Sequence, residues 1–227
     1  EEAAAKGYAA FALDMYGKGK RATSVPEAMA LRGELGSLGA EVQQERALAG
    51  LAQLQQGGLV TEMVDVDEDL LFSSGYCAGA IYASELARLN AGVQAVALFH
   101  ANYQNLSAFT PKMSDVWMQY HHAEYDRVGD DGLLALEKNL AGAGVQVWET
   151  LKYGGTSHGF ADPTNSIYDE RAANQAHATM YSFFKAKMPP KPDECEDSTT
   201  WHKNGDPAKD CAWVSEWSPR CSVKGAD

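Results

Sequence analysis

Ser73 to Leu89 reads SSGYCAGAIYASELARL, and the interpretation of this stretch decides the fold. An apolar run that reads as a strand, Asp69 to Gly75, meets a run with helical spacing, Ala78 to Asn90, and Cys77 stands at the junction between two glycines. A cysteine in such a place is a buried filler, one half of a disulfide, or a nucleophile. Residues 75–79, G-Y-C-A-G, follow the pattern glycine, any residue, nucleophile, any residue, glycine, with cysteine where serine usually stands. A nucleophile on a sharp strand-to-helix turn has strained backbone angles, and neighbours without side chains relieve clashes there. The helix that follows directs its N-terminal amides and positive dipole end at the sulfur, which favours the thiolate and a neighbouring oxyanion.

Outward from this junction, strand and helix alternate. Tyr8 to Met15 is a short apolar run that predicts a buried strand. Ser24-Val25-Pro26-Glu27 predicts a helix start, with Ser24 as the cap, and weakly amphipathic helical sequence continues, with interruptions at Gly33, Gly36 and Gly39, to about Gln56. Val93 to His100 and Asp115 to His121 predict further strands, Leu133 to Ala143 a helix ending at Gly144, Val145 to Tyr153 a strand, and Ala172 to Met188 the last helix. The expected class is α/β, a mostly parallel sheet covered by helices on both faces.

Bulk properties narrow the function. The chain has 227 residues, 45% hydrophobic and 22% charged, an ordinary globular composition. A net charge of -12 without a Lys/Arg block argues against nucleic acid or anionic lipid as partners. No apolar run reaches the length of a membrane span. Three of the four cysteines, Cys195, Cys211 and Cys221, lie after the proline-rich residues 189–194. Residues 195–227 therefore read as a small cysteine-rich tail behind a linker, with a disulfide pair and an odd thiol. Such a tail favours a secretory or luminal compartment; its tryptophans read first as the core of a tiny module and second as a binding surface for sugar or a protein partner.

Downstream of Cys77 stand an acidic loop, AEYDRVGDDG, and then YGGTSHGF with His158. Nucleophile, acid and histidine in this chain order suit an α/β-hydrolase. Glu124, Asp126, Asp130 and Asp131 are the candidate acids; the last two lie just before a helix, where carboxylates serve as caps. His121 and His122 are adjacent on a strand and point to opposite faces, a poor chelate, so neither metal nor cofactor is assigned.

GYCAGA, the acidic loop and YGGTSHGF together resemble the dienelactone hydrolase family of α/β-hydrolases, as do AAAKGYAAFALDMYGKGK, AVALFHANY and SFFKAKM, over about residues 1–188. The resemblance implies Cys77 as nucleophile, His158 as base, Asp126 as the acid (spacing off by about one residue), and the Ala78 amide as an oxyanion donor. The resemblance also implies substrate-binding roles for Tyr76 and Lys18. The implied substrate is a small-molecule ester, thioester or lactone, and a catalytically silent scaffold of the same fold is the alternative. Two departures qualify the match. Asp162 occupies the position of an arginine that holds the substrate carboxylate in lactone-cleaving members, and Lys18 is the nearest match to a second one. The family also has a strand upstream of the first helix, between the Tyr8 to Met15 run and the strand leading to Cys77. The resemblance thus implies an upstream segment that completes the sheet.

Overall fold

The structure, a computed structural model, describes residues 2–55, 70–102 and 108–188. The linker and cysteine-rich tail expected from the sequence lie outside the described residues. After a short helix α1 (Glu2–Ala5) come α2 (Val25–Ser37) and α3 (Gly39–Gln55), then β1 (Leu71–Tyr76), α4 (Gly79–Arg88), β2 (Val93–Phe99), β3 (Trp117–Ala123), α5 (Gly129–Gly142), β4 (Trp148–Tyr153) and α6 (Glu170–Lys187). The four strands form one sheet in the order β1-β2-β3-β4, and every pairing is parallel. The α/β expectation therefore holds.

Alternation along β2 shows why helices cover both faces. Val96 and Leu98 pack toward a cluster containing Ala47 and Leu51 of α3, Ala83 and Leu86 of α4, and Leu136 and Leu140 of α5. Ala95, Ala97 and Phe99 point the other way, to Ala173, Ala176, Met180 and Phe183 of α6. Alanine on this second face leaves room for a helix to approach closely. Leu98 and Phe99 are fully buried, each contributing about 1.5–3 kcal/mol relative to exposure.

The N-terminal half of the helical layer starts as the sequence predicts. Ser24 caps α2, accepting from the Glu27 amide at 3.4 Å, while Glu27 accepts in return from the Thr23 amide at 2.7 Å. Of the three glycines expected to interrupt the run to Gln56, only Gly39, whose φ of 85° suits glycine, divides it into two helices; Gly33 and Gly36 lie within α2. Gly144, at φ 75°, follows α5 as expected, although that helix starts four residues early, at Gly129.

Tyr8 to Met15 is not a strand, a correction to the sequence reading. Ala9 to Ala12 are exposed and make no ladder with β1. An apolar run becomes a strand only when a neighbour pairs its amides and carbonyls, and no described strand lies beside this one. A cavity of about 820 Å3 separates the segment from β1, lined by Ala9, Phe11 and Leu13 on one side and by Leu71, Ser73 and Gly75 on the other. The segment is held at its ends. The Tyr8 ring packs edge-on against Phe72, centroids 6.1 Å apart, and Arg46 of α3 donates to the Met15 carbonyl at 2.6 Å. Asp14 closes the D-x-Y-G turn by accepting from the amides of Tyr16 and Gly17 at 3.0 and 2.9 Å.

Candidate active site

Because all four strands run parallel, their C-terminal ends share one edge of the sheet, the edge where open α/β folds bind ligands. Cys77 follows β1 directly, His100 follows β2 directly, Asp126 lies three residues beyond β3, and His158 lies five beyond β4. Three of these meet in a chain of contacts. His158 Nε2 is 3.1 Å from Cys77 Sγ, and His158 Nδ1 is 2.9 Å from Asp126 Oδ2. His158 thus lies within hydrogen-bond reach of both a thiol and a carboxylate.

Cys77 sits at φ 50°, the left-handed region that a side chain rarely adopts. Its amide donates to the Phe99 carbonyl at 3.1 Å, fixing the turn to the end of β2. The two flanking glycines are not equivalent, which corrects the sequence argument. A Cβ on Gly75 would lie 2.4 Å from the Gly79 carbonyl oxygen, whereas a Cβ on Gly79 would meet nothing within 4 Å. Only the first glycine is demanded by sterics. Ala78 is the N-cap of α4, so its amide lies at the helix start beside the sulfur.

His158 is held by its loop. The Tyr125 amide donates to the Thr156 carbonyl at 2.9 Å, the Gly155 amide donates to Glu124 at 2.6 Å, and the fully buried Phe160 anchors the far side. Glu124, a candidate acid, is occupied in this structural bond. Asp130 and Asp131 lie inside the first turn of α5 rather than at its cap, and Asp130 pairs with Lys152. Asp126 is buried, and its backbone bridges β3 to α5, with its amide donating to the Ala123 carbonyl and its own carbonyl accepting from Gly129.

Electrostatics follow from the geometry. The hydrogen bond from His158 holds the Cys77 thiol below its usual range against the opposing effect of burial; the His158 charge, the Ala78 amide and the charge of Arg32 on α2 add to it. Asp126, and then Cys77, push His158 up to about 9. Burial would raise Asp126, but the bond and charge of His158, with His122 and the Val128 amide, bring it below the ordinary carboxylate range. Both shifts run toward thiolate and imidazolium, with a carboxylate behind them.

The remaining predicted residues fall elsewhere. Tyr76 turns its ring under the sheet edge, stacked on Phe99 at 4.4 Å with its hydroxyl 2.8 Å from His177 Nε2, and stays partly exposed. Lys18 is in an exposed turn, and no described contact joins it to Cys77 or His158. His121 and His122 are buried; the His121 ring is paired with Tyr153 at 2.8 Å and Gln119 at 2.9 Å. Among the described residues no group of three or more His, Cys, Asp or Glu is arranged to hold a metal ion. The sequence reading missed His100 and Arg32. The position of His100 at the end of an apolar strand run was the available signal for it; nothing near residue 77 in sequence points to Arg32.

A parallel sheet covered on both faces, with a cysteine on a strained strand-to-helix turn and an acid and histidine on later loops, defines an α/β-hydrolase. A profile of the dienelactone hydrolase family matches residues 1–188, and the chain belongs to that family. It is a carboxylic ester hydrolase of this type. Solved structures agree in fold. A dienelactone hydrolase-like promiscuous phosphotriesterase from metagenomic libraries is 24% identical, with a TM-score of 0.66 over 83% of this chain and 78% of that one. A putative dienelactone hydrolase from Klebsiella pneumoniae subsp. pneumoniae MGH 78578 is 18% identical, with a TM-score of 0.56 over 75% of this chain and 70% of that one. No curated protein matches the chain.

Proposed function

We propose that the chain hydrolyses a small, uncharged ester, thioester or lactone through Cys77, His158 and Asp126. The observation that carries this reading is the continuous contact from Sγ through the imidazole to the carboxylate, 3.1 and 2.9 Å. The Cys77 thiolate attacks the acyl carbon, and the carbonyl electrons move onto oxygen, where the Ala78 amide donates to the developing charge. As the tetrahedral species collapses, the imidazolium of His158 gives its Nε2 proton to the departing alcohol or thiol. Neutral His158 then takes a proton from water as the water attacks the thioester. Collapse of that second adduct releases the acid and restores the thiolate and imidazolium. Asp126 holds Nδ1–H throughout, fixing the tautomer and stabilising the charged ring.

Asp162 argues for the uncharged substrate. It lies four residues past His158 and accepts from the Thr164 amide at 2.9 Å and hydroxyl at 2.7 Å, which fixes a negative charge on this loop. A carboxylate-bearing lactone would be repelled there. Tyr76 offers a half-exposed aromatic face beside the nucleophile for an apolar acyl or leaving group. The test is an activated ester probe that acylates cysteine. Labelling at Cys77 that disappears in Cys77→Ala, with turnover lost in parallel, is the expected result. A folded parent that neither labels nor turns over any ester, thioester or lactone of a broad panel would overturn the proposal.

A further inference from the structure

His100 is unusual in three independent ways. It follows the end of β2 at φ 37°, next to the equally left-handed Cys77 across the strand pair. Its residue surface is 2% exposed, yet neither Nδ1 nor Nε2 has a hydrogen-bond partner among the described residues. Its ring packs at 60° to that of His158, centroids 5.0 Å apart, with Phe160 edge-on at 5.7 Å behind it. A left-handed backbone and two unmade hydrogen bonds both cost stability, and a phenylalanine would fill the same aromatic niche without orphaned nitrogens. Such local costs concentrate where function requires them.

We infer that His100 is a positioning residue for this site: a neutral imidazole whose uncommitted ring nitrogen stabilises the charged form of His158 and thereby the Cys77 thiolate. A neutral imidazole carries one lone pair and one N–H. With no partner among the described residues competing for either nitrogen, the ring is free to take the tautomer that directs its lone pair toward a neighbouring cation. In a buried setting such a dipole acts strongly on a charge one ring away. Burial, and then the charge of His158, lower His100 to about 4, so it adds no second positive charge at neutral pH. The titratable groups around it are His158, Asp126 and Asp162 from the loops after β3 and β4, Cys77 and Tyr76 at the end of β1, and His121 on β3.

The inference rests on the thiolate and imidazolium reading of the site, and the experiment keeps the two apart. Iodoacetamide alkylation, quantified at the Cys77 peptide across pH, measures the thiolate fraction without requiring turnover. The parent is expected to show a midpoint below the ordinary thiol range. His100→Phe should raise that midpoint by about one pH unit, equivalent to roughly tenfold less thiolate on the acid side. His100→Asn suits the left-handed backbone, keeps an acceptor, and should stay closer to the parent. If the Phe variant does not fold, His100→Ala provides the same comparison. A depressed parent midpoint that the Phe or Ala variant leaves in place overturns the inference alone. So does an Asn variant displaced as far as Phe or Ala. An ordinary thiol midpoint in the parent overturns the reading of the site and this inference with it.

Discussion

Gly75 and Gly79 flank Cys77 symmetrically in sequence, yet a methyl group on the first would lie 2.4 Å from the carbonyl oxygen of the second, while a methyl on the second would touch nothing within 4 Å. The contact atom is backbone, so it cannot swing aside. Gly75→Ala should destabilise by several kcal/mol or displace the turn, a cost typical of core overpacking at about 1–3 kcal/mol or more. Gly79→Ala, at the first residue of α4, should be neutral or stabilise by up to about 1 kcal/mol. Urea unfolding of both variants checks this; equal effects would contradict it.

Asp126→Asn should lower kcat on the order of a hundred- to ten-thousand-fold, because the amide no longer fixes the imidazole tautomer or stabilises its charge. The alkaline limb provides a finer test. The parent should lose activity near pH 9, where His158 gives up the proton that the leaving group needs. In the Asn variant that limb should move toward neutral pH. A limb unmoved in the variant would separate His158 from the titration.

Stability should fall on acidification between about pH 6.5 and 4. Burial, and then the charges of His177 and His100, lower His121 to about 3, so the unfolded imidazole binds a proton in a range where the folded one does not. Unfolding is then favoured by falling pH, at about 1.4 kcal/mol for each unit and each such group. His158 works in the other window. Raised when folded, it contributes fully below the unfolded value of 6.5 and loses that contribution as pH rises through about 9. His121→Gln, which keeps partners for Tyr153 and Gln119, should flatten the acid slope in denaturant titrations at pH 6.5 and 4.5. An unchanged slope would count against it.

Asp162→Asn should relax discrimination against anionic substrates. The parent should prefer a neutral ester to its carboxylate-bearing analogue, and kcat/KM for the anionic one should rise several-fold in the variant while the neutral one changes little. Equal handling of both esters by the parent would remove Asp162 from substrate choice.

The site was legible where chemistry dictates local sequence. A nucleophile at a strand-to-helix turn needs glycine two residues before it, the base needs a loop, and the parallel sheet brings both to one edge. Cys77 and His158 stand out as candidates on those grounds, whereas Asp126 stands out among four acids only through the family resemblance, and the structure brings the three side chains together. Tyr8 to Met15 was misread because a strand is a relation between two segments, and apolarity reports only one of them. The start of α5 was placed late because Asp130 and Asp131 resemble caps, while their carboxylates belong to the first turn. His100 read as the last residue of an apolar run. Its significance comes from a backbone turn and a facing ring, neither of which is written into the neighbouring residues.

The twin left-handed turns at residues 77 and 100 also limit which nucleophiles natural variation could sample. Threonine, valine and isoleucine are disfavoured at both positions, since a branched Cβ collides with its own backbone at such angles. Under the proposed mechanism, exchange of the attacking atom at position 77 is therefore open toward serine or aspartate and closed toward threonine. New chemistry in this lineage would have to arise through an oxygen on an unbranched stem.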